Sequence, residues 1–192
     1  MSSSPPPSHL FQTDSFTIRR FTTAPSDTED FFLFNGNPEA TRFIRPAKSR
    51  AECDVFLRDN IELYAKNDAA HPYFGRLHVS LRKTGEYVGV FSLLFLNNTD
   101  ESVCSVSPTF HIGFGFLPQF WGKGYASELL KFGTLFFFEN TSFPSIFAIT
   151  DPANLASEIV LRKNGYVLKG FLPVEPDDDD DTKLHLFQLD RA

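Results

Sequence analysis

The feature that most constrains the fold is a strand pattern that leads directly into a glycine-rich turn and then into a helix. Residues 113–130 read GFGFLPQFWGKGYASELL. Alternating apolar residues over 109–117 predict a strand, and the apolar periodicity that follows predicts a helix over 122–140. A strand and a following helix usually return the chain to a parallel neighbour in the same sheet. The stretch therefore predicts an α/β fold that contains a parallel strand pair.

The rest of the sequence predicts further strands and helices around this junction. Strand patterns occur at 15–21, in two runs of 73–97 separated by a glycine turn, and at 145–150, 166–174 and 183–189. Helix patterns occur at 27–34, with Ser26 or Asp27 as the cap, at 154–164, and after a capping box of Ser49 and Glu52. The predicted order is strand, two helices, three strands, helix, strand, helix and two strands. We expect a mixed α/β sheet flanked by helices.

Length and charge limit the class of protein. The chain has 192 residues with 23 phenylalanines, which suits one domain with a large aromatic core over 13–192, after a flexible Ser/Pro-rich tail over 1–12. A net charge of −6 argues against nucleic acid or an anionic membrane as a partner and favours an amine-bearing one. The absence of a secretory signal and of a membrane-spanning stretch predicts a cytoplasmic protein.

The two cysteines do not suggest a metal or disulfide site. Cys53 and Cys104 lie far apart and have no histidine at metal-ligand spacing. Cys53 falls on the apolar face of the second predicted helix, so we expect it in the core. Both are predicted to be free thiols, and no metal is expected.

The glycines of the strand and of the turn invite different interpretations. By strand alternation, His111, Gly113 and Gly115 share one face, which suits the close approach of a ligand and equally suits a bulge or bend. Gly122 and Gly124 lie where the unpaired N–H groups of a helix start favour an anion. The pattern does not fit a Walker A loop or a dinucleotide-binding fingerprint. We therefore expect another pyrophosphate-containing ligand.

Two motifs resemble the GNAT superfamily of acyl-CoA-dependent N-acetyltransferases. Gln119, Gly122 and Gly124 form the Q-x-x-G-x-G of its motif A between a strand and a helix. Residues 154–166, NLASEIVLRKNGY, match the N-x-x-S and K-x-G-aromatic pattern of its Rim-type branch, which includes acetyltransferases of ribosomal-protein amino termini. The resemblance covers roughly residues 13–191. It implies a mostly antiparallel sheet with one splayed parallel pair, here 109–117 and 145–150.

The resemblance also implies a site for acetyl-CoA as a co-substrate. In this family the molecule lies between the splayed strands, with its pyrophosphate on the N–H groups of the following helix start. A backbone N–H near the end of the first strand would polarise the acetyl carbonyl. The residues implied in binding are Gln119 of the motif, Phe116 and Leu117 through their backbone at the pantetheine, Trp121, Gly122, Lys123, Gly124, Tyr125 and Ala126 around the pyrophosphate, and Asn154 at the pantetheine arm.

The implied reaction is attack of a neutral amine on a thioester, which needs a proton acceptor and a proton donor. Many family members carry a tyrosine donor seven residues after the motif asparagine, but this chain has Leu161 there. Ser157 is the replacement candidate, and an ordinary first-turn serine is the alternative. His111 is the candidate acceptor because histidine titrates near neutral pH, and a histidine on the sheet surface or packed in the core is the alternative.

The sequence does not identify the acceptor of the acetyl group. The main hypothesis is an N-acetyltransferase for a primary amine such as a protein or peptide amino terminus. A small-molecule amine and a non-catalytic acyl-CoA-binding module are the alternatives. The acidic run Asp177–Asp181 either steers a cationic acceptor or forms a solvated loop. The sequence does not distinguish a monomer from a homodimer.

Overall fold

The computed structural model describes residues 9–44, 49–67, 75–96, 109–173 and 183–191. Its strands are β1 (Phe11–Gln12), β2 (Phe16–Arg20), β3 (Gly75–Leu81), β4 (Tyr87–Leu96), β5 (Thr109–Phe116), β6 (Ser145–Thr150), β7 (Val167–Pro173) and β8 (Lys183–Asp190). Its helices are α1 (Pro25–Asn35), α2 (Arg50–Asn67), α3 (Tyr125–Asn140) and α4 (Leu155–Lys163). From β2 onward, the order of these elements confirms the predicted order.

The described strands form one sheet in the order β1, β2, β3, β4, β5, β6, β8, β7. Antiparallel pairing joins β2 to β3, β6 to β8 and β7 to β8. By contrast, β5 and β6 run parallel, and α3 connects them. Their register consists of one partner pair, His111 with Phe147. The predicted mixed sheet with one parallel strand pair is therefore confirmed.

Strand β1 departs from the tail that the sequence predicts over 1–12. Phe11 pairs with Ile18, and the Leu10 N–H donates to the Ile18 carbonyl at 2.8 Å. The Phe11 ring also packs edge to face on Phe91, with ring centroids 5.7 Å apart. Burial of this apolar pair offsets the cost of ordering a short edge strand. The Ser/Pro-rich residues 1–8 lie outside the described residues.

Helix α1 begins before the predicted cap, and the prediction of Ser26 or Asp27 as the cap was wrong. Its N-cap is Ala24, and Pro25 occupies the first turn, where a missing N–H removes no helical hydrogen bond. Asp27 instead accepts two 2.7 Å bonds from the Arg19 guanidinium and one from the Thr22 N–H at 2.7 Å. Burial alone would raise the pKa of Asp27, but these bonds and the Arg19 charge lower it overall.

The chain divides into two compact units, each with its own core. The first comprises residues 1–91 and 115–125. In it, the Phe21 ring packs edge to face on Phe31 at 5.1 Å, and Phe16 does the same on Tyr125 at 5.0 Å. Cys53 of α2 is 1% exposed, which confirms its predicted place in the core. Cys104 lies outside the described residues.

The second unit comprises residues 92–114 and 126–192. Phe137 of α3 packs on Phe110 of β5, with ring centroids 5.2 Å apart. Leu161 of α4 is 1% exposed and belongs to this core. Across the described parts of both units, we find no helix whose length and hydropathy would let it span a bilayer.

Candidate functional site

The glycine-rich turn keeps its predicted place but is longer than the sequence suggests. A short 3-10 helix, Pro118–Phe120, follows β5, and α3 starts only at Tyr125. Gly122 and Gly124 therefore lie in a loop before the helix and not in its first turn. Both adopt left-handed backbone conformations, with φ of +73° and +79°. Glycine is the residue that takes this conformation without steric cost.

This loop presents unpaired backbone donors to open space. Within the described residues, we find no acceptor for the N–H groups of Gly122, Lys123, Gly124 and Tyr125. A Cβ added at Gly122 or Gly124 would meet no atom within 4 Å. Successive N–H groups in such conformations, next to the positive end of a helix dipole, form an anion-binding concavity. The loop can therefore hold a phosphate or pyrophosphate without moving a neighbour.

The residues before the turn already use part of their backbone hydrogen-bonding capacity. The Trp121 indole Nε1–H donates to the Phe116 carbonyl at 2.7 Å. The Leu117 N–H donates to the Val88 carbonyl of β4 at 2.9 Å. A carbonyl oxygen has two lone pairs, so Phe116 keeps one for a ligand, whereas the Leu117 N–H is engaged.

The other implied binding residues around the turn are mainly placed by aromatic packing. The Lys123 ammonium lies over the Phe120 ring, 5.1 Å from its centroid, which holds the charge beside the loop. The Tyr125 ring packs against Phe16, so this residue anchors the start of α3 in the first core. Gln119 is exposed, and Ala126, the next residue of α3, is partly buried.

The β5 glycines face protein side chains. A Cβ at Gly115 would overlap the ring of Phe34 from α1, within the first unit. A Cβ at Gly113 would lie 2.6 Å from the Ser92 hydroxyl, within the second unit. The volume that their missing side chains leave is thus occupied by the protein itself. The sequence interpretation of this face as a ligand approach therefore does not fit, and the reason is close internal packing.

His111 lies beside Gly113 as the alternation predicts, with its Cε1 3.7 Å from a Cβ placed there. Its Nε2 is buried and has no hydrogen-bond partner among the described residues. Burial lowers the pKa of His111 to about 4. The imidazole is therefore neutral at neutral pH, and its conjugate acid gives up a proton readily.

The second motif forms the start of α4. Asn154 is the N-cap, and its side-chain Oδ1 accepts the Ser157 N–H at 3.1 Å. The Asn154 Nδ2 group and the Ser157 hydroxyl have no partner among the described residues, which leaves both for a ligand. Leu161, at the position of the family's tyrosine, is buried and apolar. The helix therefore offers Ser157 and no phenol as a proton donor.

The K-x-G-aromatic part of this motif has a structural explanation. Gly165 ends α4 with a φ of +86°. The Tyr166 hydroxyl lies 2.8 Å from the Thr134 hydroxyl of α3 and is otherwise buried. Asn164 Nδ2 donates to the Ser127 hydroxyl in the first turns of α3 at 3.0 Å. Sequence reasoning did not identify Thr134 or Ser127, because neither belongs to a motif.

One group of potential metal ligands occurs among the described residues. Asp27, Asp30 and His78 bring ligand atoms within 4.8 Å of one another. Both Asp27 oxygens accept hydrogen bonds from Arg19, and its guanidinium charge opposes a cation here. Asp30 Oδ2 is hydrogen-bonded to His78 Nε2 at 3.0 Å. This group is a polar cluster within the first unit.

Comparison with known proteins adds a family and a set of folds. The acetyltransferase (GNAT) domain model matches residues 15–167. An acetyltransferase of the GNAT family from Bacillus anthracis superposes with a TM-score of 0.73 at 20% identity, covering 93% of this chain and 96% of that one. The ribosomal-protein amino-terminal acetyltransferase RimL in complex with coenzyme A superposes with a TM-score of 0.70 at 16% identity. This match covers 93% of this chain and 95% of the RimL chain.

A third solved structure matches with a similar TM-score and identity. It is an acetyltransferase from Salmonella typhimurium that modifies the amino-terminal serine of a 50S ribosomal subunit protein, with a TM-score of 0.70 at 17% identity. It covers 94% of this chain and 97% of its own. At these identities the structures establish the fold.

Proposed function

The chain belongs to the GNAT acetyltransferase family and is an N-acetyltransferase, and we propose that it transfers the acetyl group of acetyl-CoA to the amino terminus of a protein or peptide. The observation that supports acetyl-CoA as the co-substrate is the loop at Gly122 and Gly124. This loop has left-handed glycines and unpaired N–H groups just before a helix. RimL, a structural neighbour, is bound to coenzyme A in its own structure.

The residues present fit a pyrophosphate-containing thioester. Gly122, Lys123 and Gly124 would bind the pyrophosphate through N–H groups, with the Lys123 ammonium adding charge. The second lone pair of the Phe116 carbonyl and the Asn154 Nδ2 group would bind the amides of the pantetheine arm. Trp121 would hold the Phe116 carbonyl in place, and Gln119, Leu117, Tyr125 and Ala126 would shape the loop. Acetyl-CoA supplies an activated acetyl thioester.

Two residues of the second unit are proposed to handle protons. His111 would accept a proton from the attacking amine through its buried Nε2, which has no hydrogen-bond partner among the described residues. Burial lowers the pKa of His111 to about 4, so this imidazole is a weaker base than an exposed one. Ser157 would donate a hydrogen bond to the leaving thiolate, since its hydroxyl has no partner among the described residues. A pH–rate profile and turnover that are unchanged in His111→Gln would remove His111 from this role. Normal turnover of Ser157→Ala would do the same for Ser157.

The structural neighbours support the proposed class of acceptor. RimL and the Salmonella typhimurium enzyme act on ribosomal-protein amino termini. The Rim-type motifs of this chain support the same class of acceptor. A small-molecule amine is the alternative, and a comparison of peptides with polyamines as acceptors separates the two. The acidic run Asp177–Asp181 lies outside the described residues. A single acetyltransferase domain over 13–192 and a cytoplasmic location stay predictions.

The first test is calorimetric titration of the protein with acetyl-CoA. We expect micromolar binding that the double variant Gly122→Glu, Gly124→Glu loses, because two carboxylates would enter the anion site. Gly85→Glu is the matched control: Gly85 lies in the β3–β4 turn at a φ of +75°, and its Cβ position is also open. Full binding by the double variant, or no binding by the folded parent, would refute the loop as the cofactor site.

A further inference from the structure

Trp121, in the first unit, is an exposed aromatic residue whose side chain is nevertheless held in one orientation. Its indole Nε1–H donates to the Phe116 carbonyl at 2.7 Å. Its backbone N–H donates to the Pro118 carbonyl at 3.1 Å, at the end of the short 3-10 helix. Two hydrogen bonds therefore fix the backbone and the ring of Trp121 relative to the end of β5.

The rest of the indole is largely uncovered. Trp121 is 48% exposed, and its ring has no aromatic or cationic partner within the part of the chain that the structure describes. The neighbouring cation, the Lys123 ammonium, lies over the Phe120 ring instead. A single exposed aromatic side chain is common on protein surfaces and does not indicate a ligand by itself. The informative features here are the fixed orientation of the ring and its position beside the glycine loop.

The indole lies between two groups that are proposed to bind acetyl-CoA. It shares the Phe116 carbonyl, whose second lone pair would accept a pantetheine amide. The chain then continues directly into Gly122, the first loop residue whose N–H would bind the pyrophosphate. In the pantetheine arm, a carbon with two methyl groups lies between the amides and the pyrophosphate. An arm that is bound at both places therefore carries its apolar group past the indole.

We propose, on the basis of the proposed function, that the Trp121 indole is the apolar contact for the dimethyl carbon of the pantetheine arm. Aromatic rings contribute to binding chiefly through the apolar area that they bury. Because the Nε1–H bond orients the ring before the ligand arrives, little conformational entropy is lost on binding. Trp121 thus has two separable roles: its N–H holds the Phe116 carbonyl, and its ring covers the arm.

Adenine is the other part of acetyl-CoA that could cover an indole, since bases stack on aromatic rings. In the molecule, adenine and the amides lie on opposite sides of the pyrophosphate. The Nε1–H bond directs the Trp121 indole toward Phe116, which is the side of the amides. The dimethyl carbon is therefore the contact that the geometry favours over adenine.

The first arm of the test uses the fluorescence of Trp121, the one tryptophan of the sequence. Acetyl-CoA should shift the emission to shorter wavelength and protect it from quenching by acrylamide, because the indole becomes covered. Adenosine 3′,5′-bisphosphate has the adenine and phosphates but no pantetheine arm. At a concentration that saturates the protein in calorimetry, it should protect the indole far less. Equal protection by the bisphosphate would overturn the proposal in favour of adenine stacking.

The second arm pairs a change in the protein with a change in the ligand. The probe is an acetyl-CoA analogue in which hydrogens replace the two methyl groups, and calorimetry measures its Kd beside that of acetyl-CoA. The parent should bind the analogue about tenfold more weakly, as expected when two buried methyl groups are lost. Trp121→Ala should discriminate between the two ligands much less. Equal discrimination by the parent and by Trp121→Ala would overturn the contact.

Two further variants separate the ring from its N–H and from aromatic residues in general. Trp121→Phe keeps an apolar ring and removes the donor, so it should retain most of the discrimination. Phe171→Ala is the matched control: Phe171 of β7 is 57% exposed, lies in the second unit, and should leave both Kd values unchanged when replaced. A loss of discrimination as large in Trp121→Phe as in Trp121→Ala would assign the effect to the N–H bond and overturn the ring contact.

The remaining outcomes distinguish this contact from the proposed function. If Trp121→Ala does not fold, Trp121→Gln takes its place, because a flexible polar side chain supplies no ring. Binding of acetyl-CoA that leaves the indole equally accessible to acrylamide would overturn the contact alone. No binding of acetyl-CoA by the folded parent would refute the proposed function, and the contact with it.

Discussion

At the scale of single residues, the glycines of this protein meet two different physical needs. Gly122 and Gly124 are required for their backbone conformation, and the space beside them is open. Gly113 and Gly115 are required for volume, because Ser92 and Phe34 occupy the place of their side chains. Substitutions at the two sets should therefore fail in different ways. The turn should lose ligand binding, and the strand should lose stability.

Gly115→Ala should lower the free energy of unfolding by about 1–3 kcal/mol, as overpacking of a well-filled core does. The added methyl group overlaps the Phe34 ring. Urea denaturation of this variant, of Phe34→Leu and of the double variant measures the coupling. We expect Gly115→Ala to lower the free energy of unfolding less in the Phe34→Leu background than in the parent. Additive costs in the double variant would show that the ring does not set the limit.

His111 should make the protein sensitive to acid. Its pKa is about 4 in the folded state against about 6.5 when unfolded, so below pH 6.5 the unfolded chain binds a proton that the folded chain does not. Stability is therefore fully present above pH 6.5 and lost as the pH falls toward 4, by up to about 3 kcal/mol. Unfolding free energies at pH 7 and pH 4.5 should fall less in His111→Gln than in the parent. Equal losses would contradict the lowered pKa.

Sequence reasoning at this scale located the turn correctly but left two interpretations of the strand glycines open, and the ligand approach is the one that does not fit. The Q-x-x-G-x-G spacing is local, so it points to unpaired N–H groups without knowledge of the fold. The partner of Gly115 is Phe34, which lies on another element far away in the sequence. No local pattern reveals such a contact.

At the scale of elements, helix α4 combines a structural and a proposed binding role in one side chain. Asn154 caps the helix through Oδ1 and keeps Nδ2 for a ligand. The roles of these two atoms can be separated by mutation, since aspartate at position 154 retains the acceptor and loses the donor. A carboxylate at this position also interacts favourably with the helix dipole.

Asn154→Asp should preserve stability and weaken acetyl-CoA binding, whereas Asn154→Ala should lose about 1 kcal/mol of stability as well. Thermal unfolding and calorimetric titration of the two variants provide the test. Glu158→Gln, in the same first turn, serves as a control for the change in helix charge. Unchanged binding in Asn154→Asp would show that the asparagine is a cap only.

Element types were more predictable than element boundaries. The hairpin of β3 and β4, the strand β6 and the helix α4 follow directly from periodicity and turn residues. The starts of α1 and α3 differ from prediction because long-range bonds of Asp27 and left-handed glycines decide them. Strand β1 was missed because its two residues gain their stability from pairing with β2.

At the scale of the whole molecule, one domain over 13–192 is predicted to unfold as a single cooperative transition. Trp121, the one tryptophan of the sequence, lies in the first unit, so its fluorescence reports there. Far-ultraviolet circular dichroism reports on helices and strands of both units. In urea, the two signals should give the same midpoint. Two separated midpoints would show that the units unfold independently, and addition of acetyl-CoA should then shift at least the fluorescence transition.

The packing of Phe34 on Gly115 also restricts how this sequence can change over evolutionary time. A larger residue at position 115 crowds the ring, and a smaller residue at position 34 leaves a cavity. We therefore expect either change alone to lower the stability, and the second change to recover part of that loss. We expect homologous chains to differ at both positions together. Substitutions at a helix residue and at a strand residue far away in the sequence should therefore be correlated.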